Sequence, residues 1–386
     1  MNWKQTTLGE ISSNIQTGPF GSQLHQSDYS ENGIPVVMPK DILNGHVSDI
    51  SIARVPEEYA NRLNRHKIEP GDILYSRRGD VGRCAFTTDI EAGWLCGTGC
   101  LRVTIDQRKA IPKFVFYQLQ KTETIGWVEK HAVGSTMLNL NTSILSNVPI
   151  QIPSIDKQRF IVGVLSAYDN LIENNQKQIK LLEEAAQRLY KEWFVDLRFP
   201  GHENTKITDG VPEGWRRGAL ADVATFKRGK TITKEQTNPG VVPVVAGGLE
   251  PAYFHDTFNT GAPVITVSGS GANAGFTRMY HTKVWASDCS YVDSVATENL
   301  AWVYCFLKEN NTKIETMQKG AAQPHVYAKD INALEAVIPN DKQMKRFQAI
   351  TEPMFARIGT LKTQKARLRE ACNCLLPKLM NGEIEV

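Results

Sequence analysis

No stretch of about 18 apolar residues, the length a membrane-crossing helix needs, occurs in this 386-residue chain. Its opening, MNWKQTTLGE, lacks the apolar core of a signal peptide, so the expected location is the cytoplasm and no membrane is expected among its partners. The seven cysteines are odd in number and scattered without paired Cys-x-x-Cys knuckles, which argues against a structural zinc framework and reads as reduced thiols. The eight histidines show neither His-x-His nor His-Glu-x-x-His spacing. Pro-Pro is absent, and with it the Asn/Asp-Pro-Pro-aromatic turn of amino-methyltransferases. The Pro-Asp and Asp/Glu-x-Lys elements of many magnesium nucleases are missing as well. Lys227-Arg228-Gly229-Lys230-Thr231 ends like a phosphate-binding loop, yet Ala224 stands where its first glycine should be. SGSGANAGF (Ser268 to Phe276) has the glycines of a nucleotide loop, but the residues after it read as a strand rather than the helix such a loop requires. No catalytic centre emerges, and the net charge of +3 permits nucleic-acid binding without arguing for it.

What the chain does have is a repeated phrase. GSTMLNLNTSILSNVPIQIPSIDKQ (Gly134 to Gln158) is echoed by GAAQPHVYAKDINALEAVIPNDKQ (Gly320 to Gln343), each with a glycine, small or amide residues, Ile-Pro and Asp-Lys-Gln. The likeness extends outward, as an internal duplication should. WKQTTLGEISSNIQTG (Trp3 to Gly18) matches WRRGALADVATFKRGK (Trp215 to Lys230), and Pro35-Val36-Val37 matches Pro243-Val244-Val245. DILYSRRGDVG (Asp72 to Gly82) likewise matches PVITVSGSGANAG (Pro263 to Gly275). Short β-branched strands and glycine-rich turns beside helices at Ile111 to Lys121 and Ala301 to Lys308 predict an α+β head in each half. RFPGHENTKITDGVPEGW reads as the linker between them.

Each Ile-Pro is followed by a long amphipathic pattern. The first stripe carries Ile161, Val164, Tyr168, Leu171, Ile179, Leu182, Ala186, Leu189 and Trp193, with Asn175 interrupting it. The second carries Phe347, Ile350, Met354, Ile358, Leu361, Leu368, Cys372, Leu375 and Leu379, with Pro353 and Pro377 as possible kinks. A helix of about 40 residues extends roughly 60 Å, longer than most domains are wide. Two readings stay open: the helices pair antiparallel as a coiled coil, or each packs on its own domain.

The order of these motifs, twice over, resembles the specificity subunit of a type I restriction-modification system. TGPFGSQL (Thr17 to Leu24), GIPVV (Gly33 to Val37), KDI (Lys40 to Ile42) and PGDILYSRRGDVGRC (Pro70 to Cys84) carry the resemblance in the first half. SGSGANAGF and KGAAQPHVYAKDI carry it in the second. The resemblance implies two pseudo-repeated α/β target-recognition domains separated by two long helices in an antiparallel coiled coil. The corresponding segments are 1–155 and 200–340 for the heads, the latter with the linker, and 156–199 and 341–386 for the helices. The coiled-coil core is then expected at Ile161, Tyr168, Ile172, Ile179, Leu182, Leu189, Ile350, Ile358, Leu361, Leu368 and Leu375.

It further implies a non-catalytic subunit that reads a bipartite double-stranded DNA target, one half-site per head, with the helices fixing the gap. The expected partners are methyltransferase subunits, two of them, bringing S-adenosylmethionine, and endonuclease/translocase subunits using ATP and magnesium. This chain itself is expected to hold no cofactor and no metal, and to work in the cytoplasm at the nucleoid. Base readout in the major groove takes amide and guanidinium groups on loops or strands. In the first head the candidates are Ser22, Gln23, Arg77, Arg78, Ser135 and Thr136. In the second they are Lys227, Arg228, Lys230, Ser268, Ser270, Asn273, Gln323 and His325. Phe20 is expected in the core. Two rival readings are an interaction scaffold whose heads bind protein, and a fused methyltransferase or nuclease with an unfamiliar centre.

Overall fold

The computed structural model describes residues 3–134, 137–318 and 324–384 and divides into two compact units, Met1–Leu171 with Leu368–Val386, and Ile172–Arg367. In the first unit the strand Lys4–Thr7 pairs antiparallel with Pro149–Ile152, so the entry and exit of the globular part are hydrogen-bonded neighbours. Between them an antiparallel sheet has the order Ser12–Thr17, Cys100–Ile105, Ile73–Ser76, Cys84–Phe86. A second sheet has the order Ala53–Val55, Ile34–Val37, Leu95–Cys96, with one antiparallel and one parallel pairing. From residue 101 to 105 of the first sheet, buried and half-buried residues alternate, as in a strand covered on one face. The helix Pro112–Leu119, with proline in its first turn where no amide donor is missed, buries Phe114, Val115, Phe116, Tyr117 and Leu119 in the same core.

The second unit repeats these two sheets and the strand pair that brackets them. Arg216–Ala219 pairs with Glu335–Ile338, and the larger sheet has the order Lys227–Arg228, Cys289–Asp293, Val264–Ser268, Thr277–Tyr280. The smaller sheet is Tyr253–His255, Val242–Val245, Trp285–Ala286, again with one antiparallel and one parallel pairing. Val36 and Val37 lie opposite Leu95 and Cys96, just as Val244 and Val245 lie opposite Trp285 and Ala286. The two Pro-Val-Val phrases are therefore the same strand in two copies. Gly18 donates its amide to the Cys100 carbonyl at 2.9 Å, and Gly229 does the same to Cys289 at 2.8 Å. Those bonds align the copies residue by residue.

Two long helices follow, Ile155–Tyr190, extended by a π-helical turn at Lys191–Val195, and Asp341–Met380, which is continuous over Pro353 and Pro377. Within each unit their segments run antiparallel. In the first, Ile161 and Leu165, early in one helix, share a core with Leu379 and Met380, late in the other. In the second, Tyr190 and Trp193 pack edge-on against Phe347, with ring centroids 6.2 and 6.0 Å apart. Glu183 and Lys362 pair at 3.3 Å.

Ile161, Ile179, Ile358 and Leu361 are buried, and Tyr168, Ile172, Leu182, Leu189, Leu368 and Leu375 are half-buried. Two apolar residues of the stripes leave the seam, for Leu171 and Ile350 are 50% and 43% exposed. The second helix instead turns Phe347, Thr351 and Phe355 inward at steps of four. The polar Thr351 is fully buried because its hydroxyl donates to the Phe347 carbonyl at 2.9 Å. Asn175 is buried as well, so it interrupts the apolar pattern without leaving the interior.

Gly359 on the second helix makes room for His281: a Cβ there would lie 2.9 Å from the histidine's own Cβ. Burial, and then the charge of Lys362, push the His281 imidazole down to about 4 from 6.5. The unfolded chain therefore binds the extra proton between those values, and stability should fall as pH drops through that window. Denaturation midpoints at pH 7 and 5 should differ less for His281→Gln than for the wild type; an equal difference would remove His281 as the source.

All seven cysteines are free thiols, and burial pushes Cys84, Cys96 and Cys289 up to about 12. Among the described residues no group of three or more His, Cys, Asp or Glu could hold a metal, and no helix is long and apolar enough to cross a membrane.

Candidate nucleic-acid interface

In the first unit, Arg77 follows the strand Ile73–Ser76 and is clamped by main-chain bonds on both sides. Its amide donates to Gly99 at 2.8 Å, and its carbonyl accepts from Leu140 at 2.8 Å. Gly79, at φ +75°, takes the left-handed turn that glycine alone adopts readily, and donates to Leu138 at 3.2 Å. Arg78 is exposed and forms a β-bridge to Asn139.

The Arg77 guanidinium lies 5.9 Å from the centroid of the Phe20 ring. Phe20 is 53% exposed rather than in the core: the loop Pro19–Gln23 carries it outward, and a cation covers part of its face. Gln23 closes that loop, its side-chain oxygen accepting from the Phe20 amide at 3.1 Å, while Ser22 is exposed at the tip. The GPFGSQL and SRRG loops thus meet. Ser135 and Thr136 lie outside the described residues; Val133 and Met137, which flank them, are 62% and 63% exposed. Among the described residues the buried Arg77 Nε has no hydrogen-bond partner, nor does Asn139 Oδ1.

The second unit contains the same clamp with other side chains. Gly269 donates to Asp288 and accepts from Val326, both at 3.1 Å, and Gly271, at φ +81°, donates to Pro324 at 3.1 Å. Gly269, Ser270 and Gly271 therefore occupy the places of Arg77, Arg78 and Gly79. The bridge from Ser270 to His325 repeats that from Arg78 to Asn139. Lys227 and Arg228 form the edge strand opposite Tyr291 and Ser290, and both are exposed, as is Lys230. Arg228 pairs with Asp288 at 3.8 Å, and the other oxygen of that carboxylate accepts from the Ser270 hydroxyl. The His325 ring stacks on Tyr327 with centroids 6.0 Å apart.

Two candidates stand apart from this cluster. Ser268 is 4% exposed, the last residue of a central strand, and its hydroxyl donates inward to the Gly247 carbonyl at 3.0 Å. Asn273 is half-buried in the following turn, where its carbonyl accepts from Phe276. Gln323 lies outside the described residues. Sequence reasoning passed over Asp288, Asn139 and Tyr327. A register-based superposition of Gly97-Thr98-Gly99-Cys100 on Ser287-Asp288-Cys289, one residue shorter, would have brought Asp288 forward.

The arrangement offers hydrogen-bond donors and acceptors at strand ends, the chemistry that recognition of a base edge uses. The family of the type I restriction modification DNA specificity domain matches residues 1–184 and 212–370. The chain is 26% identical to the type I restriction enzyme MjaIX specificity subunit of Methanocaldococcus jannaschii, across 93% of this chain and 88% of that one. It is 22% identical to the HindI specificity subunit of Haemophilus influenzae, across 99% of this chain and all of the other. In fold it is similar to the crystal structure of the S subunit of a type I restriction-modification system from M. genitalium. That match has a TM-score of 0.63 at 18% identity and covers 98% and 96% of the two chains. With one matched segment on each repeat, the chain belongs to the type I restriction-modification DNA specificity family, as a specificity subunit.

Proposed function

We propose that this chain reads a bipartite duplex DNA target, one half-site per unit, and directs partner methyltransferase and endonuclease subunits to it. The observation that carries the reading is one backbone clamp built twice around different chemistry. Arg77, Arg78 and Asn139 stand in one unit where Gly269, Ser270 and His325 stand in the other. Two readers with a common frame and distinct sequence preferences need that combination, because frame contacts position while side chains on base edges specify. Arg77 and the exposed Arg78, Lys227, Arg228 and Lys230 supply the positive charge that phosphates attract.

The chain is non-catalytic. S-adenosylmethionine belongs on the methyltransferase partner, two copies of which suit a twofold repeat, and ATP with magnesium belongs on the endonuclease partner. Work on chromosomal DNA puts the complex in the cytoplasm.

Co-expression with the neighbouring methyltransferase subunit, followed by genome-wide mapping of methylated adenines, tests the proposal. A single split motif, methylated only when this chain is present, is expected. Methylation indifferent to deletion of this chain, in a complex shown to assemble, would favour the interaction scaffold instead.

A further inference from the structure

We infer that Arg228, oriented by Asp288, reads a guanine in the half-site taken by the second unit, and that the first unit has no counterpart of this device. The inference rests on the DNA-reading function proposed above. Arg228 projects from an edge strand whose backbone is fixed immediately afterwards: a Cβ on Gly229 would come within 2.3 Å of the Ser287 carbonyl, so the chain is packed tight there. The Arg228 side chain is 66% exposed and that of Asp288 34%, and an ion pair so open to water contributes little to stability. Its effect is on direction.

The Asp288 carboxylate is held from two sides, by the Ser270 hydroxyl and by Arg228, while its own main chain belongs to the clamp. With a carboxylate beside it, the guanidinium is steered in one direction and keeps N–H groups for a second partner. A planar fork of that kind matches the O6 and N7 acceptors of guanine in the major groove.

The acid also argues against the simpler alternative of phosphate contact. A carboxylate beside a phosphate-binding arginine would repel the backbone it serves and weaken binding, whereas beside a base-reading arginine it fixes the angle from which the fork approaches. Arg228, Asp288, His325 and Tyr327 share one shallow hollow, so the pair works within a defined surface rather than on a free tail.

The repeat supplies the contrast. Gly18 and Gly229 occupy the same place, and so do Cys100 and Cys289, which puts Thr17 where Arg228 stands and Gly99 where Asp288 stands. The first unit therefore has neither the fork nor the acid at this position. Its arginines, Arg77 and Arg78, come from the other side of the clamp, where the second unit has Gly269 and Ser270.

The test maps methylated motifs for the complete complex containing wild type, Arg228→Lys, Arg228→Gln, Asp288→Asn and the Arg228→Gln/Asp288→Asn double variant, alongside DNA affinity as a function of salt. The wild-type motif should hold a guanine in one half-site whose identity is relaxed by roughly 5- to 150-fold in Arg228→Gln and in Arg228→Lys, which keeps the charge but loses the fork. The other half-site should not change.

Removing the acid in the double variant should restore overall affinity without restoring the guanine requirement. Asp288→Asn alone should weaken the guanine preference while leaving affinity equal or higher, a separation that a merely structural role would not produce. Any of three results overturns the inference: a wild-type motif with no guanine in either half-site, an unchanged motif with uniformly weaker methylation in the Arg228 variants, or relaxation of both half-sites. Each leaves the DNA-reading function standing. A wild-type complex with no split motif removes that function and this inference with it.

Discussion

Phe347→Ala is expected to destabilise the second unit by roughly 3–5 kcal/mol, the range for emptying a buried aromatic site. Phe347 is fully buried, with ring centroids 5.0 Å from Phe194, 6.0 Å from Trp193 and 6.2 Å from Tyr190. The π-helical turn at Lys191–Val195 turns Trp193 and Phe194 into the same core, and Trp302 and Trp215 complete the wall. Such a rigid surround cannot collapse into the space that a phenyl ring leaves, so the cavity cost adds to the lost burial. Chemical denaturation followed by tryptophan fluorescence measures it. Phe160→Ala, at a site 51% exposed on the first long helix, serves as the control and should change stability by less than about 1 kcal/mol. A Phe347→Ala variant as stable as that control would show that the aromatic cluster is not a packed core.

The second large effect is expected from adding one methyl group at two equivalent places. A Cβ on Gly18 would lie 1.8 Å from the Gly97 carbonyl oxygen, and a Cβ on Gly229 would lie 2.3 Å from that of Ser287. Both obstacles are main chain, which cannot rotate away, so each alanine must push one sheet off the other. A loss at or above the upper end of about 1–3 kcal/mol is expected for Gly18→Ala and for Gly229→Ala. Gly21, three residues beyond Gly18, has open space around its Cβ position and no left-handed backbone, and alanine there should be neutral or mildly stabilising. Comparable losses at both positions, with none at Gly21, would establish that the duplicated frame does the same mechanical job in each unit; tolerance at either would break the equivalence.

The duplication, the α+β heads and the two long helices were legible because each left a long-range regularity: repeated phrases in fixed order, and stripes at helical spacing. The finer features were not, for reasons visible at particular residues. Thr351 looks polar in a sequence but is buried, since a hydroxyl on a helix can satisfy itself on the carbonyl one turn back, and Ile350 beside it is left outside. Phe20 looks like core but is exposed, because its loop sits above a sheet and its partner is an arginine from 57 positions on. Ser268 shares a glycine-rich phrase with Ser270, yet one hydroxyl points inward and the other outward across the end of a strand. Asp288 was overlooked because its meaning comes from cross-strand register, a relation between distant segments that composition does not encode.

In each unit the two strands that bracket the repeated segment are hydrogen-bonded side by side, Lys4–Thr7 to Pro149–Ile152 and Arg216–Ala219 to Glu335–Ile338. A segment whose two ends are fastened side by side can be exchanged for a relative's at those seams without altering where the chain enters or leaves. In genetic terms the span between each pair of strands is a cassette: recombination at the codons of these four strands would replace one span and return a folded protein in a single event.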